Sequence, residues 1–326
     1  MSRRLFRSRG LHIFRAVFIR ARQESGIVSG TELAAIRRAY ARQMMIAAGV
    51  LDAPLERAYA AVPREAFLGA PPWHAVSAFR GSREVCAQDI ERVYEDVLFA
   101  LAPDRGVNNG SPSLHAAMLH ALGPMPGERV LHVGAGTGYY TAILAELAGP
   151  SGRVQAIEVD PALAKEAERN LAPWANVEVL RGDGASWPQA SAARIYVNFG
   201  CARPAAAWIE RLAPGGRLVF PLGVPSSPSW SGGPRHTEVG AVLVVERPIV
   251  QRGGAGLAAR WLSHASFVFA EGTLAGDAAD REALARAFGR DGIEFIRSLQ
   301  WRHPADPARC WFWSPGWSLG FDPVPE

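Results

Sequence analysis

Lysine is almost missing from this chain of 326 residues: Lys165 is the only one, so nearly all the positive charge is arginine. With alanine, glycine and proline abundant, that skew reads as coding bias rather than as a phosphate-binding surface. The net charge of +4 is small for the length. Nucleic-acid binding needs a concentrated basic face, so no nucleic-acid partner is expected. Cysteine is scarce too. Cys86, Cys201 and Cys310 are odd in number, far apart and without metal-ligand spacing. That argues against a disulfide scaffold or a metal site and fits a reducing, cytoplasmic setting. No uninterrupted apolar run reaches the roughly 20 residues that span a bilayer, so no integral membrane association is expected. Acids are absent from Met1 to Arg22, where arginines alternate with Leu5, Phe6, Leu11, Ile13, Phe14, Val17, Phe18 and Ile19. Residues 1–28 read as a basic N-terminal extension, with a targeting segment or a membrane-surface helix as the alternatives. The oligomeric state is left open.

What is present points to an ordinary folded protein: 48% apolar and 20% charged residues, enough for a large buried core. Ser29 and Glu32 have capping-box spacing ahead of Leu33, Ile36, Tyr40 and Met44, which recur as on a helix closed by Gly49. Asp52-Ala53-Pro54 opens a second helix. Pro71 to Gly110 is less periodic and reads as loop-rich, with a short helix near Gln88 to Tyr94. Regular alternation starts at Arg129. Strands are expected over Val130–Val133, Val154–Val159, Asn176–Leu180, Arg194–Val197 and Arg217–Phe220. Helices are expected over Tyr140–Leu147, Ala162–Leu171 and Pro204–Leu212. Such alternation implies an α/β fold with a mostly parallel, Rossmann-like sheet. Val239–Val245 and Trp261–Phe269 have no helix between them and read as an antiparallel pair finishing that sheet. Asp280 to Trp301 reads as one or two helices interrupted near Gly289 and Gly292, followed by an aromatic tail. The expected division is 29–275 for the main domain, with helical cover over 29–128 and core over 129–275, and 276–326 for a C-terminal extension.

Gly134-Ala135-Gly136-Thr137-Gly138 joins the first core strand to its helix, where free N–H groups and close backbone approach suit a ligand. Glu158 ends the second strand, about where an acid accepts from ribose hydroxyls. A nicotinamide binder shares both features, but G-x-G-x-G with Tyr139 next is not G-x-G-x-x-G. Gly182-Asp183-Gly184 after the third strand adds a carboxylate for an adenine amino group. Three such elements at successive strand ends favour S-adenosyl-L-methionine as cofactor. Tyr139 either packs over it or belongs to the core.

The order of motifs resembles the protein-L-isoaspartate O-methyltransferase family. Val62-Pro63-Arg64-Glu65-Ala66-Phe67 resembles its V-P-R-E-x-F signature, and Tyr94-Glu95-Asp96 its Y-E-D element. Val130 to Tyr139 is similar to its V-L-E-I-G-x-G-x-G-Y motif, Asn176-Val177 with Gly182-Asp183-Gly184 to its N-V…G-D-G, and Pro214 to Val219 to its P-G-G-R-L-V. The resemblance covers roughly Ile36 to Gly272. It implies a methyltransferase sheet covered by N-terminal helices, and methyl transfer to the carboxylate of an isoaspartyl residue in a protein or peptide, the first step of repair.

Three departures stand out. His132 replaces the family's Glu at the end of the first strand; a satisfied core histidine or a cofactor-side group are the two readings. Asn108-Asn109-Gly110-Ser111-Pro112-Ser113 stands where the family reads T-I-S-Q-P-Y, which places its serine on Gly110 and its glutamine on Ser111. Arg194 stands where an Asp is frequent. Ser111 is the candidate catalytic residue, or a helix cap ahead of Pro112, or both. Asn108, Asn109 and His115 are candidate substrate-binding residues. Trp311, Trp313 and Trp317 either line a pocket or pack the tail onto the domain. Alternatives in function are a related methyltransferase retargeted to another acceptor, or a non-catalytic cofactor-binding protein.

Overall fold

The computed structural model describes residues 28–77, 81–225, 236–250 and 256–324. The basic N-terminal stretch and the Ser226 to Pro234 loop expected from sequence lie outside them. Helix α1 spans Gly30–Ala48 and starts as its capping box dictates, with Ser29 and Glu32 exchanging hydrogen bonds and Gly49 closing it in a left-handed turn. Helix α2, Ala53–Ala61, is capped by Asp52 and carries Pro54 in its first turn. Ile36, Tyr40, Met44, Leu55 and Tyr59 turn inward from these helices into one core.

Pro71 to Gly110 is more regular than its sequence implies. Strands β1 (Trp73–Ser77), β2 (Gly81–Val85), β3 (Leu98–Ala102) and β4 (Val107–Asn108) form a small sheet of order β2-β1-β3-β4, and a 3-10 helix covers Ala87–Tyr94. These strands have five residues or fewer, too short for a periodic signal to emerge.

The main sheet begins with β5 (Arg129–Val133), β6 (Arg153–Glu158), β7 (Val177–Arg181), β8 (Ala192–Val197) and β9 (Leu212–Pro225). They lie in the order β9-β8-β5-β6-β7, all parallel. Each crossover carries a helix or a short helical turn, as parallel pairing requires. Helix α3 (Pro112–Leu122) precedes the sheet, and α4 (Tyr139–Ala148), α5 (Pro161–Leu171) and the short α6 (Ala206–Glu210) lie between its strands. Helix α6 is shorter than expected because Leu212 already enters β9, opposite Ala192. Alternation along β5 sends Val130 to the face covered by α1 to α5, and Leu131 and Val133 to the other core.

Strands β10 (Thr237–Glu246) and β11 (Gly256–His264) continue the sheet antiparallel, as expected. The second starts earlier than its sequence suggested and leaves after His264, so that Val268 and Phe269 bridge instead to His236 and Gly200. The C-terminal region departs further. Helix α7 (Ala278–Phe288) is followed by three strands, β12 (Ser298–Trp301), β13 (Cys310–Ser314) and β14 (Trp317–Gly320), which extend the sheet in the order β11-β12-β14-β13. Ile293, Ile296 and Leu299 sit at helix-like spacing, which hides a four-residue strand. Trp311 and Trp317 pack into the second core, while Trp313 remains 44% exposed. A surface groove of about 510 Å³ opens beside Gly292, Glu294, Phe295, Arg297 and Phe321.

Leu299 is fully buried in β12. Leu299→Ala should therefore cost about 2–5 kcal/mol. Denaturant unfolding should stay a single transition at lower midpoint; a separate early transition with the remaining protein unaffected would show that the added strands are not part of one cooperative core.

Candidate cofactor and acceptor site

The sheet brings three of the expected elements to neighbouring strand ends. The glycine loop follows β5, Glu158 closes β6, and Asp183 lies just beyond β7. Glu158 is buried, and its two carboxylate oxygens accept from the N–H of Gly136 (2.7 Å) and of Asp160 (3.0 Å). Burial pushes its carboxyl pKa above the usual range, against the lowering effect of those N–H donors. A carboxylate bound this way still has lone pairs for hydroxyl donors. Asp183 is exposed; one oxygen caps the following turn at Ala185 N–H (2.9 Å), which leaves the other open.

Gly134, Gly136 and Gly138 all take positive φ (80°, 59° and 99°), so each favours glycine on backbone grounds. Their surroundings differ. A Cβ at Gly134 would lie 2.6 Å from the Phe199 ring and one at Gly138 2.7 Å from Leu171, whereas at Gly136 the nearest atom is Leu101 Cδ1 at 3.5 Å. Gly134 and Gly138 are thus backed by packing, and Gly136 faces the more open side. Leu101 comes from β3, and the turn after it sends Arg105 to pair with Asp160. The small sheet is thereby tied beside the carboxyl end of β6. An adenosyl group suits this setting: a cradle open at Gly136, a buried carboxylate with spare acceptor capacity, and a second acid one strand further.

His132 is fully buried, with Nδ1 2.8 Å from Thr141 Oγ1 and Nε2 without a partner. Burial pushes its pKa down to about 3, so the ring is neutral and opposes no cation. Tyr139 directs its ring away from the loop, among Tyr40, Tyr59 and Phe67. Arg194 is a structural pin: its guanidinium donates to Gly123 O and Ala193 O and lies 3.1 Å from Glu128.

The segment after β3 forms a second cluster. Asn108 Oδ1 accepts from Gly110 N–H (2.9 Å), and Asn109 Oδ1 from Phe99 N–H (2.7 Å). Asn109 is buried and its amide nitrogen has no partner. Ser111 occupies the N-cap position of α3 but makes no side-chain cap bond. The cap expected of it comes instead from Asp96, which accepts from Ser113 N–H (3.1 Å), Ser113 Oγ–H (2.5 Å) and Ser111 Oγ–H (3.2 Å). His115 lies under Gly110: a Cβ there would meet its Nε2 at 2.1 Å. Its ring stacks on Tyr140 at 3.8 Å and its Nδ1 hydrogen-bonds the Tyr196 hydroxyl. Burial drives its pKa well down, so it too is neutral. Tyr140 also reaches Gly110 O (3.4 Å), joining the helix after the glycine loop to this second cluster. Nothing in the local sequence marks Tyr140 or Tyr196 as site residues, and only the Y-E-D element points toward Asp96.

This architecture is shared with solved methyltransferases. A protein-L-isoaspartate O-methyltransferase structure aligns over 77% of this chain and 71% of its own, with TM-score 0.55 at 22% identity. A Plasmodium falciparum beta-aspartate methyltransferase in complex with S-adenosyl-L-homocysteine aligns over 72% and 98%, with TM-score 0.54 at 15% identity. The chain therefore has the Rossmann-like methyltransferase fold. The family model described as Protein-L-isoaspartate(D-aspartate) O-methyltransferase matches residues 52–229, more than half of the chain. A protein-L-isoaspartate O-methyltransferase of Methylorubrum populi is 38% identical over 185 residues, 56% of this chain and 76% of its own length. One from Aeropyrum pernix is 46% identical over 125 residues, 37% of this chain, and the match spans only 48% of that relative. The chain belongs to the protein-L-isoaspartate(D-aspartate) O-methyltransferase family.

The neutral burial of His132 carries a pH signature. A histidine whose folded pKa is depressed favours the native state above its unfolded pKa, and that advantage is lost as pH falls, because the unfolded chain takes up the proton first. With a folded pKa of about 3 and an unfolded pKa of about 6.5, the loss from His132 between about pH 7.5 and about pH 5 is about 2 kcal/mol. His132→Gln should flatten the acid side of the stability curve by that amount in denaturant titrations. His115 shares the direction and would keep part of the slope. An unchanged slope would show that His132 is not buried neutral.

Proposed function

We propose that the chain is an S-adenosyl-L-methionine-dependent carboxyl O-methyltransferase that acts on isoaspartyl residues of proteins or peptides. The observation that carries this reading is the buried Glu158 carboxylate holding Gly136 N–H, at the loop glycine where an added Cβ would meet only Leu101 Cδ1, at 3.5 Å. Glu158 is suited to accept from ribose hydroxyls and Asp183 from an adenine amino group, with Gly134, Gly136, Gly138 and the backbone at Tyr139 forming the wall. When bound, the cofactor supplies a methyl group on a positively charged sulfur.

A carboxylate acceptor is ionised near pH 7, so the chain need not provide a strong base. Its task is to orient the carboxylate and keep water away. The hydrogen bonds of the second cluster divide that work. Asn108 has its amide oxygen engaged by Gly110 N–H, which leaves its own N–H groups for a carboxylate, while Asn109, buried, braces the turn through Phe99 N–H. Ser111 and Ser113 turn their hydroxyl hydrogens toward Asp96, which leaves oxygen lone pairs for N–H groups of the acceptor. Ser111 is the hydroxyl that we place at the transfer site. The part over 29–128, helices with the small sheet, then covers the acceptor, 129–275 holds the cofactor, and 276–326 extends the fold. All three cysteines are free, which suits work in the cytoplasm. Gly110 brings no hydroxyl to its position, the one feature favouring a second reading in which the acceptor is another peptide or a small carboxylic acid.

Two substitutions test the cofactor site by calorimetry. Glu158→Ala should weaken S-adenosylmethionine binding by about 10- to 100-fold, the loss of hydrogen bonds to a charged group. Gly136→Val should abolish it, because a branched side chain is strained at this φ and fills the open side. Affinity untouched by both would remove the site. Methyl transfer should then be measured with an isoaspartyl peptide and its aspartyl twin. Transfer to the first alone establishes the reading, transfer only to other carboxylates favours the second, and binding without any transfer marks a non-catalytic binder.

A further inference from the structure

Arg64 is among the largest fully buried side chains of the described residues. Its Nη1 donates to Val93 O (2.8 Å) and Glu95 O (2.9 Å), and its Nη2 to Val97 O (2.6 Å). The guanidinium lies 5.2 Å from the centre of the Phe99 ring and 5.9 Å from those of Tyr40 and Tyr139. Glu65, its neighbour, accepts from the Tyr94 hydroxyl and lies 3.9 Å from Arg37. Two consecutive residues thus grip Val93, Tyr94, Glu95 and Val97. Between the last two sits Asp96, which the grip leaves exposed and which holds both serine hydroxyls and the Ser113 N–H at the start of α3.

We propose that Arg64 is a positioning residue of the acceptor site: it fixes the 93–97 segment so that Asp96 sets the hydroxyls of Ser111 and Ser113. The role follows from chemistry as well as connectivity. An apolar side chain would fill this interior at a smaller desolvation cost than a guanidinium that has only carbonyls to meet it. What arginine adds is a planar fork that fixes three carbonyl oxygens at once. Those three oxygens belong to the segment that carries Asp96. Aromatic faces take up the remaining surface of the cation. The proposal rests on the acceptor-site reading above, and its test includes a readout that does not.

The experiment compares the full chain with Arg64→Lys, Asp96→Ala and the double variant. Lysine keeps the charge but loses the fork. Arg64→Lys and Asp96→Ala should each lower kcat/KM for an isoaspartyl peptide by about 10- to 100-fold, as small misplacements of an acceptor do. Cofactor affinity should stay within about twofold of wild type, and the double variant should be no worse than the worse single one. Amide hydrogen exchange, which needs no activity, should speed up at 93–97 and at Ser113 in Arg64→Lys while the strands of the main sheet stay protected. Exchange faster throughout, effects that multiply in the double variant, or equal loss of cofactor binding would overturn the proposal. If Arg64→Lys does not fold, Tyr94→Phe removes the hold of Glu65 alone and should raise exchange at the same amides; no change there also overturns it. If the wild type transfers no methyl group to isoaspartyl peptide, the functional reading fails, and the exchange pattern still decides the clamp.

Discussion

The bond from Gly136 N–H to the buried Glu158 carboxylate is the constraint on which the site depends. It holds the turn after one strand to the end of the next, and it exists because parallel strands deliver their carboxyl ends to one edge. Burying an acid costs free energy, and here backbone donors from Gly136 and Asp160 offset part of that cost. Two glycines backed by Phe199 and Leu171 hold the loop from behind. The result is a rim in which one glycine, Gly136, is backed only by Leu101.

The proposed acceptor side is organised by a different principle. Its polar groups are arranged so that hydrogen-bond donors and acceptors separate: the amide nitrogen at Asn108, oxygen lone pairs at Ser111 and Ser113. Asp96 imposes the second half of that pattern and displaces Ser111 from the capping task its position suggests. Beneath the turn, His115 and His132 are neutral histidines, each with an Nε2 that meets no partner. Both rings lie against Tyr196, and Tyr140 reaches from the cofactor side to Gly110. The glycine loop's helix and the Asn108–Ser113 turn are thus parts of one packed unit.

Beyond the methyltransferase core, three C-terminal strands carry the sheet to ten strands among the described residues. They bury Trp311, Phe312, Trp317 and Leu319 against the second core, so the aromatic tail packs onto the domain. Val268 and Phe269, just after β11, bridge back to His236 and to Gly200, which follows β8. The added strands therefore continue the layer that presents the site.

Local sequence determined much of this protein. The capping box at Ser29, the Asp52 and Asp160 caps, and the strand–glycine–helix unit at Gly134 are short-range patterns, and each formed where its residues required. Order along the chain also put Glu158 and Asp183 at neighbouring strand ends, because successive right-handed crossovers set β5, β6 and β7 side by side. Tertiary structure decided the rest. That Asp96 caps α3, that Arg64 clamps 93–97, and that His115 forbids a side chain at Gly110 are contacts between segments 15, 29 and 5 residues apart or more. Short strands such as β4 and β12 exist only through their partners. No periodicity records such contacts, since they depend on where the chain returns in space.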